Sequence, residues 1–122
     1  MHDHAPIFVV DDDTDLREVI GELLVDEGYP TRLFENGRAA LDLLRDGVRP
    51  RLILLDLMMP GMNGWQFRAE QLRDEALRDI PVVVMTASRG FDDAPFAEAE
   101  ILYKPVGLAE ILAAVERNAL AA

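Results

Sequence analysis

Leu52-Ile53-Leu54-Leu55-Asp56 is the stretch that decides the fold. Four apolar residues stand on consecutive positions and end on an acid. A strand with one wet face alternates apolar with polar residues, whereas a strand covered on both faces does not. The run therefore reads as an inner strand of a parallel sheet with helices on each side. A charge at the end of such a strand is costly unless partners meet it, so Asp56 is the first residue to be suspected of chemistry.

Similar runs lie on either side. Ile7-Phe8-Val9-Val10 is β-branched and aromatic and ends in Asp11, Asp12 and Asp13. Thr31 to Phe34 forms a short second strand. Pro81-Val82-Val83-Val84-Met85 forms a fourth, with its proline at the start, where it is tolerated. Ile101-Leu102-Tyr103 forms a fifth. Amphipathic stretches separate them. Asp15 to Glu27 carries Leu16, Val19, Ile20, Leu23 and Leu24 at helical spacing, with Asp15 and Glu18 as its capping pair and Gly28 as its stop. Asn36 caps a helix that Gly47 ends. Further helices are expected from about Asn63 to Leu77 and from Leu108 to Leu120. Strand and helix alternate through five units, which implies a parallel sheet with right-handed crossovers. The crossover from Ala87 to Glu100 is barely long enough and contains Gly90 and Pro95. Its helix, the fourth, should span two turns or fewer, or be disordered.

Composition sets the outer limits. The chain has 122 residues, fitting one domain over 1–122 that can bury a core without disulfides. Its 23 acidic and 12 basic residues give a net charge of −11, which opposes nonspecific binding to nucleic acid or to an anionic membrane. Without cysteine there is no thiol catalysis and no cysteine-ligated metal. No apolar run is long enough to span a membrane, and Met1 to Pro6 do not form a secretory signal. A cytoplasmic location is the default. His2 and His4 offer too few ligands for a metal and read as a chain end. Trp65 reads as packing, and Asp92 and Asp93 as a solvated turn. Met58, Met59 and Met62 flank the strand end as either a soft partner surface or ordinary loop packing.

In open parallel sheets, function collects beyond the carboxyl ends of the strands. Those ends carry Asp11 and Asp12, then Asp56, then Thr86, Ala87 and Ser88, then Lys104 and Pro105. The three acids repel one another unless they hold a proton or a cation, and an all-oxygen set suits a hard ion such as Mg²⁺. Taken alone, Asp11 to Asp13 is equally a solvated, helix-capping turn. A carboxylate can attack phosphorus to give an aspartyl phosphate. That step needs a metal ion, a cation and a hydrogen-bond donor. Asp12 with Asp56, Lys104 and Thr86 could supply them, and Lys104 is the only lysine in the chain.

These residues match a known pattern. Ile7 to Asp13, the run Leu54-Leu55-Asp56-Leu57-Met58-Met59-Pro60-Gly61-Met62-Asn63-Gly64, then Val84 to Ala87, then Lys104-Pro105 together resemble the receiver domains of two-component response regulators. The resemblance covers essentially the whole chain. It implies a flavodoxin-like, doubly wound, five-stranded parallel α/β sheet in the order 2-1-3-4-5. Asp56 would be the phosphoacceptor. Asp12, Asp56 and the Met58 carbonyl would ligate Mg²⁺, with Asp11 acting mainly through water. Thr86, the Ala87 amide and Lys104 would bind phosphoryl oxygens, and Pro105 would follow a cis bond. The donor would be a phosphohistidine on a sensor histidine kinase or a histidine phosphotransfer protein. Output would pass to a downstream protein target or a fused domain, since the sequence has no DNA-binding segment of its own.

Three positions depart from the family pattern. The switch aromatic is replaced by Ile101, and Tyr103, two residues on, is a candidate substitute. The crossover before the fifth strand is short and is expected to be mobile or ordered by a partner. The positions that tune hydrolysis hold Met58 and Ser88, and Met58 cannot orient water by hydrogen bonding. Two rivals fit less well. A Mg²⁺-dependent phosphohydrolase or phosphotransferase with Asp56 as nucleophile would need an acid where Met58 stands. An FMN binder would need a phosphate loop where Asp11 to Asp15 would repel one.

Overall fold

Leu52–Asp56 forms the central strand β3 and is buried at all five positions. The computed structural model describes residues 5–90 and 94–120. The other strands are β1 (Ile7–Val10), β2 (Thr31–Phe34), β4 (Val82–Thr86) and β5 (Glu100–Tyr103). All neighbours pair in parallel, in the order β2-β1-β3-β4-β5. The helices are α1 (Thr14–Asp26), α2 (Gly37–Arg45), α3 (Gly64–Arg73) and α4 (Leu108–Asn118). The architecture expected from the sequence is present.

The pleat sorts the core into two halves. Phe8, Val10, Ile53, Leu55 and Val84 face α2 and α3, packing with Leu41, Leu44 and Phe67. Ile7, Val9, Leu54, Val83 and Met85 face α1 and α4, packing with Ile20, Leu24, Ile111 and Val115. Burying each large aliphatic side chain stabilises the fold by about 2 kcal/mol. Strands covered on both faces have no position for a polar residue, hence the unbroken apolar runs.

Several boundaries differ from the sequence expectation. Helix α1 starts one residue earlier, because its cap is Asp13, whose carboxylate accepts from the Leu16 amide at 3.1 Å; Asp15 lies inside the first turn. Helix α3 stops at Arg73 rather than continuing to Leu77. Asp74 turns extended and its carboxylate caps the Ala76 amide at 2.9 Å. Four α-helices form among the described residues. In its described residues the β4–β5 crossover contains a 3₁₀ turn at Ala94–Phe96 and no α-helix. Residues 91–93 of that crossover, with Asp92 and Asp93, fall outside the described residues, as do His2 and His4. Met59 and Met62 pack into the core, as does Trp65, which leaves Met58 as the exposed methionine of the three.

A buried polar network fastens the crossover to α3. Arg68 donates from Nε to the Pro95 carbonyl at 2.9 Å and from Nη1 to Gln71 Oε1 at 2.8 Å. Gln71 Nε2 donates to the carbonyls of Leu77 and Ile80, both at 3.0 Å. The Arg68 guanidinium also lies 5.7 Å from the centre of the buried Phe96 ring. Arg68→Ala would leave Gln71 and Pro95 with unmet acceptors. The expected loss is about 2 kcal/mol in urea unfolding.

Candidate functional site

The parallel register brings four strand ends to one edge of the sheet. Asp56 pairs with Met85, and Thr86 pairs with Tyr103, next to Lys104. Asp11 follows directly after Val10, the partner of Leu55. Residues widely separated in sequence thus meet because the strands end together.

Asp11, fully buried, is held from several directions. Its Oδ1 accepts from the Asp13 amide at 2.9 Å, and its Oδ2 accepts from Lys104 Nζ at 2.9 Å. Its main-chain carbonyl accepts from Arg17 Nη1 at 2.7 Å. Sequence reading did not single out Arg17, and no spacing rule links it to Asp11. Asp56, 3% exposed, has Oδ1 on the Met58 amide at 3.2 Å and Oδ2 at 3.6 Å from Lys104 Nζ. Lys104 therefore sits between the two acids, closer to Asp11. Carboxylate oxygens of Asp11, Asp12 and Asp56 all lie within 4.8 Å of one another, and Asp12 is the exposed member.

These positions set the charge balance. Burial, then the negative charge of Asp11, push the Asp56 carboxyl up to about 7, against the pull of Lys104 and the Met58 amide. Burial alone would lower the Lys104 ammonium. Its hydrogen bond to Asp11 and the charges of Asp11, Asp56 and Asp13 outweigh that and raise it, so it stays charged. The cluster has more negative than positive charge and a half-open face at Asp12. Its donors are hard oxygens, as a small divalent cation requires.

Thr86 is buried, and its Oγ1 accepts from the Ser88 amide at 3.0 Å, which leaves the hydroxyl proton free to donate elsewhere. The Thr86 carbonyl accepts from the Lys104 amide at 2.8 Å, joining the two strand ends. The Lys104–Pro105 peptide is cis. Met58 is 56% exposed beside Asp56. Ile101 packs against the α2–α3 half of the core, while Tyr103 on the same face is exposed, with the Arg89 guanidinium 4.1 Å from its ring centre.

Residues 7–116 match the response regulator receiver domain model. The chain is a receiver domain of the response regulator family. Related receivers confirm the assignment along most of its length. It is 43% identical over 81 residues to the DNA-binding response regulator MtrA of Mycobacterium tuberculosis, covering 66% of this chain and 34% of MtrA. It is 35% identical over 112 residues to the phosphate regulon transcriptional regulatory protein PhoB of Pseudomonas aeruginosa, covering 88% of this chain and 48% of PhoB. The receiver thus spans about a third to a half of these relatives. Among solved structures it superposes on the response regulator TrrA of Thermotoga maritima in complex with Mg²⁺–BeF, with TM-score 0.80 and 31% identity, covering 92% and 96% of the two chains. A receiver is the phosphorylation-dependent switch of two-component signalling, and receivers bind Mg²⁺ at an acidic cluster such as Asp11, Asp12 and Asp56.

Proposed function

We propose that Asp56 is the phosphoacceptor, and that residues 1–122 act as one receiver unit accepting phosphate from a phosphohistidine. The carrying observation is the lone lysine, whose Nζ lies 2.9 Å from Asp11 and 3.6 Å from Asp56. An Oδ of Asp56 forms the bond to phosphorus as the donor's P–N bond breaks and the imidazole keeps the electron pair. Lys104 offsets the negative charge that arrives with the phosphoryl group. Thr86 Oγ1 and the Ala87 amide donate to its oxygens. Asp11, Asp12, Asp56 and the Met58 carbonyl would hold Mg²⁺, which neutralises crowded oxygens when bound. The direct test is mass spectrometry after incubation with Mg²⁺ and a small acyl phosphate. Wild type should gain one phosphoryl group. Its absence would defeat this reading.

The sensor kinase or histidine phosphotransfer protein that supplies the phosphate, the downstream or fused output partner, and a cytoplasmic location belong to the same proposal. Among the described residues, no helix is long and apolar enough to cross a membrane. Turnover of external phosphomonoesters is not expected, because the position two beyond Asp56 is Met58, which has no acid to offer.

Proton linkage gives a testable prediction. The Asp56 carboxyl titrates near 7 in the fold against an ordinary 3.8. The native state therefore binds this proton more tightly than the unfolded chain. Stability without metal should decline as pH rises from about 4 to about 7, then level off. Mg²⁺ must displace the proton, so its affinity should fall by up to about tenfold per pH unit below about 7. Fluorescence titration with Mg²⁺ at several pH values checks this.

Met58 and Ser88 set the lifetime of the aspartyl phosphate in this reading. An exposed thioether cannot direct water at the acyl phosphate, so dephosphorylation should be slow. Met58→Asn should speed it roughly tenfold, equivalent to about 1.4 kcal/mol in the barrier. An unchanged rate would remove Met58 from this role. Backbone amide shifts of Tyr103→Ala with and without phosphorylation test the remaining candidate, since loss of the phosphorylation-dependent shifts would make Tyr103 the coupling aromatic.

A further inference from the structure

A groove of about 540 Å³ runs between α1 and the edge strand β2, and it shares no residue with the aspartate cluster. Its floor is apolar: Gly21, Val25 and Leu33 line it, with Val25 and Leu33 exposed. Gly21 keeps it open, because a Cβ there would meet the Leu33 side chain at 3.1 Å. One wall is a row of carboxylates, Glu18, Glu22 and Asp26, each four residues after the last. Among the described residues, none of the three has an ion-pair partner. Like charges at this spacing disfavour a helix, so α1 keeps the row at a cost to itself.

The opposite wall is a sheet edge. Among the described residues, β2 pairs only with β1. The Pro30 and Phe34 carbonyls accept from the Ile7 and Asp11 amides, so the even-numbered residues of β2 turn their peptide groups inward. In a parallel ladder the alternate residues, Thr31 and Leu33, then turn theirs outward. Both also line the groove.

We infer that this groove receives an extended basic segment of a partner protein, which adds as a strand beside β2 and sets alternate lysine or arginine side chains against Glu18, Glu22 and Asp26. The geometry fits. Carboxylates four residues apart on a helix are spaced by about 6.0 Å. Alternate residues on a strand are spaced by about 6.6 Å and point to one face. Three such pairs extend over about 12 to 13 Å, the distance from the first to the fifth residue of a strand. Main-chain hydrogen bonds to Thr31 and Leu33 would give affinity, and the charges would select the partner.

The test uses two seven-residue peptides of identical composition, one alternating lysine with valine and one with its lysines grouped at one end. Binding is followed by fluorescence anisotropy and by backbone amide shifts. The alternating peptide should bind at least about tenfold tighter, shift the Thr31 and Leu33 amides, and lose about tenfold in affinity with Glu18→Lys plus Glu22→Lys. Both substitutions are on exposed positions of α1, and circular dichroism should show the fold intact. Binding should persist in Asp56→Ala, where phosphorylation is lost, so the two proposals fail separately. Equal affinity for the two peptides would overturn the inference, as would shifts centred on Asp11, Asp12 and Asp56.

Discussion

Asp56→Asn is expected to take up no phosphate from a small acyl phosphate under conditions that phosphorylate the wild type. The substitution keeps the volume and removes the nucleophilic charge. Two comparisons separate chemistry from folding. Lys104→Met keeps the nucleophile and loses the cation 3.6 Å from it. Removing one stabilising group from such a transition state costs roughly 10² to 10³ in rate, so uptake should slow by that order. Lys104→Met also leaves the fully buried Asp11 without its counter-ion. It should therefore be less stable at pH 8. Asp56→Asn should move stability the other way. It deletes an acid that burial and Asp11 push up to about 7. A variant more stable than wild type yet inert to acyl phosphate would mark Asp56 as a functional rather than structural charge. Intact mass and urea unfolding measure both effects. Phosphate uptake by Asp56→Asn at the wild-type rate would move the acceptor elsewhere.

The second large effect is expected at Gly64, the first residue of α3. A Cβ there would lie 2.7 Å from Leu57 Cα and 2.9 Å from the Asp56 carbonyl oxygen. Those atoms are main chain and cannot swing aside. The Gly64 amide also donates to the Leu57 carbonyl at 2.9 Å, so helix and strand end are locked together. Gly64→Ala should cost about 3 kcal/mol, the upper end for forcing extra volume into a packed site. It should also displace Asp56 and weaken Mg²⁺ binding. Gly107→Ala is the control. Its Cβ would meet only the end of the Glu110 side chain, at 3.3 Å. Near-neutral behaviour is expected there, and equal losses at the two positions would refute the close-approach argument.

How legible the molecule is in its sequence differs by element. β3 reads correctly because burial on both faces leaves a one-dimensional mark, an unbroken apolar run. The strand ends read correctly because the carboxyl edge of a parallel sheet is fixed by topology, so Asp11, Asp56, Thr86 and Lys104 fall together once the strands are placed. Local competition blurs the rest. Asp13 and Asp15 are both good helix caps, and only the chain's path out of β1 chooses Asp13. The periodicity of α3 runs on to Leu77, but Gln71 takes the Leu77 and Ile80 carbonyls and fixes a non-helical loop there. Arg68 and Gln71 are polar residues in a helix and look solvated in a linear pattern. Their burial depends on a crossover that arrives from a distant part of the chain. The groove beside β2 has no linear signature either, because it is made by what Gly21 lacks.

The single lysine has a practical side. Apart from an α-amino group, the Lys104 amine is the only primary amine in these 122 residues. It is protonated, half-buried and clamped to Asp11 at 2.9 Å. Acylating dyes and amine cross-linkers that modify a side chain here will do so at the switch itself. Immobilising the protein through that amine would silence it.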